Sequence, residues 1–229
     1  MSPLDSHALR AGQNHQRWRE NEIGDQREPD RRGGEQAEHG DVPHRREREH
    51  REAEAEQTYP GDELVLAPSE TWTHAIDIDA PAESVWPWII QIGADRGGFY
   101  SYQWLENIAG CQLRNADTIH PEWRLKLGDR LVLHPTQPPL YIAQMSDGEY
   151  FVAHAKAEDL GSAEQEVTWL FLLQPRGNHR CRFISRFRMG RVDNKPVQGR
   201  IAAYFADAVS FAMDQRMLQG IKERAETQQ

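Results

Sequence analysis

Cysteine is scarce in this sequence: only Cys111 and Cys181 occur among its 229 residues. Two cysteines make no disulfide framework, and no secretory signal opens the chain, so a reduced, cytoplasmic setting is expected. Neither thiol stands in a nucleophile motif. Cys181 falls in an alternating strand pattern and Cys111 near a helix end. Long apolar runs are missing too, and nothing approaches the roughly 18 residues of a membrane helix. Positive charge is in deficit: 27 Lys and Arg stand against 36 Asp and Glu, for a formal net charge of −9. Nucleic-acid binding needs a basic footprint and is disfavoured on that ground.

Residues 1–57 are poor in large apolar side chains. Leu4, Leu9, Trp18, Ile23 and Val42 stand almost alone there. Such a segment cannot bury enough surface to offset its ordering entropy, so a disordered charged tail is expected. Arg45-Arg46-Glu47-Arg48-Glu49 mixes signs and forms no polybasic arm. From Tyr59 the aromatic and branched residues become dense, and residues 58–229 are long enough for one sizeable core.

Within that domain the hydrophobic period switches twice. Tyr59-Pro60-Gly61 reads as an ordered lead-in with a turn. Trp72, His74, Ile76 and Ile78 alternate with Thr73, Ala75 and Asp77, which predicts a half-buried strand. Pro81 and Glu83 open a helix that ends at Gly93, and Pro87 inside it predicts a kink or two pieces. Ser101 is placed to cap a second short helix, Tyr102 to Ala109. Leu113 to Leu127 reads as irregular. Strands follow at 130–134, 140–145, 150–154, 166–174 and 180–189, with turn signals at Asp147-Gly148 and Gly177-Asn178. After Pro196 the period becomes helical: Val197, Ile201, Tyr204, Phe205, Ala208, Met217, Leu218 and Ile221 predict one long amphipathic helix. The fold class expected is α+β, with an antiparallel sheet covered by that helix, and Phe205 is expected against the sheet.

Several patterns bear on chemistry. Arg96-Gly97-Gly98 precedes Phe99, Tyr100, Tyr102 and Trp104, and aromatics with polar tips suit an apolar pocket with a few oriented hydrogen bonds. Arg96 can meet a ligand anion there, or a protein carboxylate such as Glu106 or Asp117. Asn107, Asn115, Asp117, His120 and Glu122 match no metal spacing, and loop capping explains them better. His74, His134, His154 and His179 lie in or beside strands. A catalytic His needs an orienting partner and a nearby reacting group, and the sequence shows no such pair. Along Arg180 to Arg188, arginines 180, 182, 186 and 188 share one face with Ile184, and Cys181, Phe183, Ser185 and Phe187 share the other. A solvated outer face is expected for the arginines, or alternatively Arg186 turned into a cavity.

The wording of several segments resembles the START-like SRPBCC superfamily, also called polyketide cyclase/dehydrase-like, in an uncharacterised bacterial branch. The segments are Ile78-Asp79-Ala80-Pro81, Val85 to Gly93, Arg96 to Tyr102, Trp104 to Asn107, Asn115-Ala116-Asp117 with Pro121-Glu122-Trp123, and Met217 to Glu226. The resemblance implies a helix-grip fold, with a seven-stranded curved sheet around the C-terminal helix and a cavity between them. It also implies binding of a small hydrophobic molecule, with cyclase/dehydratase-type catalysis or a filled-core protein-interaction module as the alternatives. Arg96, Tyr100, Tyr102 and Trp104 are expected at the cavity mouth. Trp88, Asn107, Asp117, Trp123, His154 and Tyr204 complete the candidate ligand-binding set. No cofactor and no metal is expected.

Overall fold

The computed structural model describes residues 57–108, 110–160, 166–190 and 197–227, with the backbone alone for 197–210. The expected tail, and the side chains of Tyr204 and Phe205, lie outside the described residues. The elements run β1 (Glu70–Ile78), α1 (Ala82–Ile90), α2 (Gln103–Ile108), β2 (Arg130–Leu131), β3 (Leu140–Ser146), β4 (Tyr150–Ala155), β5 (Val167–Pro175), β6 (Cys181–Met189) and α3 (Val197–Thr227). The strands form one antiparallel sheet in the order β1-β6-β5-β4-β3-β2. The curved sheet with the long C-terminal helix on its inner face is the helix-grip arrangement.

Alternation decides which side chains face that helix. Ile78 on β1, Phe151 on β4, Phe171 on β5 and Phe183 on β6 all point inward and are fully buried. Their rings form a row: Phe151 and Phe171 stack at 4.7 Å, and Phe171 and Phe183 at 6.1 Å between centroids. Trp88 and Ile89 of α1 and Met217, Leu218 and Ile221 of α3 close over them. Full burial of each such side chain is worth about 1.5–3 kcal/mol. Among the described side chains of α3, burial falls from Met217 back to Phe211, which is exposed, with Asp214 half-buried between them. Along β6 it likewise weakens from Phe187 to Met189. The packed core therefore fills one end of the inner face, and a half-buried end remains.

Four expectations need correction. Among the described residues the sheet has six strands rather than seven. The stretch before β2 stays irregular apart from a 3-10 turn at Pro121–Trp123. Strand β2 stops at Leu131 instead of His134, because His134 Nδ1 accepts the Thr136 amide at 3.2 Å and Pro135 between them has no amide to give to a ladder. Helix α1 runs through Pro87 as one element and not as two pieces. The carbonyl that Pro87 deprives of its partner belongs to Glu83, an exposed residue whose carbonyl water can serve.

The fourth correction concerns the arginine face. It is the sheet's outer face, as alternation requires, but around Arg186 and Arg188 it is not solvated. The lead-in folds over it. Tyr59, Val152, Leu170, Leu172 and Ile184 form a second apolar cluster there. Gly61 sits at φ 85°, and a Cβ on it would lie 2.5 Å from Val152 Cγ1, so only glycine lets the lead-in come this close. Asp62 accepts Arg186 Nε at 3.0 Å and pairs with Arg188 NH1 at 2.7 Å. Arg186 therefore turns neither to solvent nor into the inner face.

Candidate functional site

The Arg96–Tyr102 stretch is a structural knot. Tyr100 is 1% exposed and has φ 56°, a left-handed backbone uncommon outside glycine. Its amide and that of Phe99 both donate to Asn115 Oδ1, at 2.8 and 3.1 Å. Its hydroxyl donates to the Trp88 carbonyl at 3.1 Å and accepts from Gln91 Nε2 at 2.8 Å. Burial pushes its phenol well above the usual tyrosine range. Arg224 of α3 lies 4.8 Å from the Tyr100 ring and 6.0 Å from the ring of fully buried Trp88. The C-terminal motif and the glycine-aromatic motif thus meet each other and close the core.

Arg96 is likewise engaged by protein. Nε and NH2 donate to the two Asp95 oxygens at 3.1 and 3.2 Å, NH2 to the Arg130 carbonyl at 3.2 Å, and NH1 to the Trp123 carbonyl at 3.4 Å. Neither Glu106 nor Asp117 is its partner. Glu106 is buried on Ser101 Oγ, and burial, partly offset by that bond, raises its carboxyl. Asp117 is largely exposed beside Arg224. We expect Arg96→Met to lower unfolding free energy by about 1–2 kcal/mol and to leave ligand affinity unchanged. Urea denaturation and a binding titration on the same variant check both halves.

The other expected residues scatter. Tyr102 and Trp104 are exposed on and beside α2, with Trp104 64% exposed. Asn107 clamps a loop, bonding both the amide and the carbonyl of Leu113. Trp123 stacks on His120 at 3.9 Å. His154 shares the outer face with Val152 and not the inner face. Burial pushes its imidazole below the usual range. These residues do not converge on one site. Both thiols are held protonated: burial and nearby carboxylates raise Cys181 to about 11, and burial and Glu106 raise Cys111. Among the described residues no group of three His, Cys, Asp or Glu side chains is placed to hold a metal ion.

What converges instead is a polar string at the half-buried end of the inner face. His74 of β1 and Ser185 of β6 are register partners. Both reach Asp214 of α3: His74 Nδ1 lies 2.5 Å from Oδ2, and Ser185 Oγ lies 2.8 Å from Oδ1. Trp169 Nε1 of β5 donates to Ser185 Oγ at 2.9 Å. Aromatic rings surround the string. Trp72 stacks on Phe187 at 4.8 Å, Trp169 meets Phe187 edge-on at 6.3 Å, and Phe211 sets its edge against His74 at 4.8 Å. His74 was visible in the sequence as a strand histidine without a partner. Asp214 was missed, since an acid in an amphipathic helix reads as solvent-facing until the helix is docked.

No family model matches the chain, and no curated protein matches it. Solved structures do. One is norcoclaurine synthase from Thalictrum flavum in complex with dopamine and hydroxybenzaldehyde, at 14% identity and TM-score 0.40, covering 76% of this chain and 96% of that one. Another is the self-sacrificing resistance protein CalC from Micromonospora echinospora, at 13% identity and TM-score 0.38, covering 69% and 95%. A third is a START superfamily protein from Mycobacterium smegmatis, at 10% identity and TM-score 0.30, covering 65% and 97%. No helix of the described residues is long and apolar enough to cross a membrane.

Proposed function

We propose that this domain binds a small, largely apolar molecule against the inner face of its sheet, at the end where Phe211 and Asp214 lie, without covalent catalysis. One observation carries the reading. A fully directed polar string, His74–Asp214–Ser185–Trp169, is set among half-buried aromatic side chains at the edge of the packed core. Apolar walls with a few placed polar groups are the usual make-up of a small-molecule site. A reducing, cytoplasmic compartment is part of the proposal, since Cys111 and Cys181 are both free thiols.

The test is equilibrium dialysis with 2-methoxynaphthalene, a flat apolar probe. Saturable one-site binding is expected, and Phe187→Glu, which puts a charge between Trp72 and Trp169, should weaken it at least about ten-fold while circular dichroism stays unchanged. Absence of saturation, or equal binding to a folded Phe187→Glu variant, would sink the proposal. A second reading, a cyclase/dehydratase-type enzyme acting on a hydrophobic carbonyl compound, is favoured by one feature alone: Asp214 orients the His74 ring as a proton-transfer group requires.

A further inference from the structure

The polar string specifies more than a polar spot, because its hydrogen-bond directions are determined by elimination. An indole nitrogen only donates, so Ser185 Oγ accepts from Trp169 Nε1. The one hydroxyl proton of Ser185 is then directed to its other neighbour, Asp214 Oδ1. A carboxylate only accepts, so His74 must place its proton on Nδ1, toward Asp214 Oδ2. In the neutral imidazole this leaves a lone pair on Nε2. His74 Nε2 bonds no described residue. Phe211 and Asp214 pack against the ring, and Trp72 and Ile76 share its strand face.

Resting on the binding reading above, we propose that the ligand is an aromatic hydroxy compound whose O–H donates to His74 Nε2 while its ring lies against the Trp72–Phe187 stack. Three groups make the specificity. Asp214 holds the Nδ1–H tautomer, so the neutral ring offers an acceptor at Nε2. Ser185 donates to Asp214 Oδ1, and Trp169 fixes that direction by donating to Ser185 Oγ, so both carboxylate oxygens are already engaged by protein donors. Trp72 and Phe187 stack on each other, 4.8 Å apart and inclined by 13°, and a planar ring can extend that stack where a branched chain cannot. No proton leaves the ligand in this state; the hydroxyl stays intact and is shared by a hydrogen bond.

Three probes of one shape test the idea by equilibrium dialysis at neutral pH: 2-naphthol, 2-methoxynaphthalene and 2-naphthoate. The naphthol should bind about ten-fold more tightly than its methyl ether, because a half-buried acceptor is satisfied in one complex and left bare in the other. His74→Phe should bring the two within about two-fold of each other while still binding both. Should that variant fail to fold, the wild-type ratio decides alone. Equal binding of naphthol and ether to the wild type overturns the inference and leaves the apolar site standing. Preference for 2-naphthoate over naphthol also overturns it, since an imidazolium donor would then face the ligand. Binding of none of the three removes the site itself.

Discussion

Gly220→Ala should cost about 3 kcal/mol or more of unfolding free energy, although alanine is the better helix former by about 1 kcal/mol. A Cβ at Gly220 would lie 2.1 Å from the Tyr100 carbonyl oxygen, 2.9 Å from its Cβ and 3.1 Å from its carbonyl carbon. The contact is with backbone, so no flexible side-chain end can move aside. Tyr100 is also held on every side: both its amide and that of Phe99 are on Asn115, and its hydroxyl is on Trp88 and Gln91. Relief must come from lifting α3 off the knot, which would pull Arg224 from its 2.9 Å bond to the Ala116 carbonyl. Urea denaturation measures the loss. A variant as stable as the parent would show that α3 does not approach Tyr100 this closely.

Asp62→Ala should be about as damaging, at about 3–5 kcal/mol, the range for breaking a buried ion pair from one side. Asp62 is 11% exposed and serves two guanidiniums that are 7% and 12% exposed, those of Arg186 and Arg188, as well as the Tyr59 amide. Its loss leaves both cations buried without their shared carboxylate. Burial alone would raise the Asp62 carboxyl, but the bonds from Arg186 and Arg188 outweigh it and hold the group below its ordinary 3.8. A depressed carboxylate contributes its full stability above the ordinary value and loses it as pH falls through the lower, folded value. The acid limb of the stability curve should therefore be shallower in Asp62→Asn than in the parent. Identical acid limbs would mean that the carboxylate is not titrating against folding.

The sequence made the strands readable because each has one wet or differently packed face. β1 and β6 were assigned to the correct faces residue by residue, down to Ser185 inward and Arg186 outward. The long helix was readable from Met217, Leu218 and Ile221. What escaped had no local period to betray it. Asp62 lies far from Arg186 in sequence and reads as a turn acid beside Pro60-Gly61, so the covered outer face was taken for a solvated one. The engagement of the glycine-aromatic motif by protein partners was hidden for a related reason. Arg96, Tyr100 and the glycines form a conspicuous motif, yet their chemistry is spent on Asp95, Asn115, Gln91 and Gly220. The string that remains open draws one residue each from β1, β5, β6 and α3, and only the docking of those four elements brings them together.

The pairing of β1 with β6 sets the order in which this chain can be assembled on the ribosome. The two strands are neighbours in the sheet and pair along their whole length, from Glu70 with Met189 to Ile78 with Cys181. While the intervening chain is being made, β1 has no partner, and its Trp72 and Ile76 have neither neighbour strand nor helix to cover them. Gly220 and Arg224 arrive later still to lock Tyr100. Long-range pairing of this kind is slow and leaves apolar strand edges open in the interval. The native sheet can therefore close only after β6 has emerged.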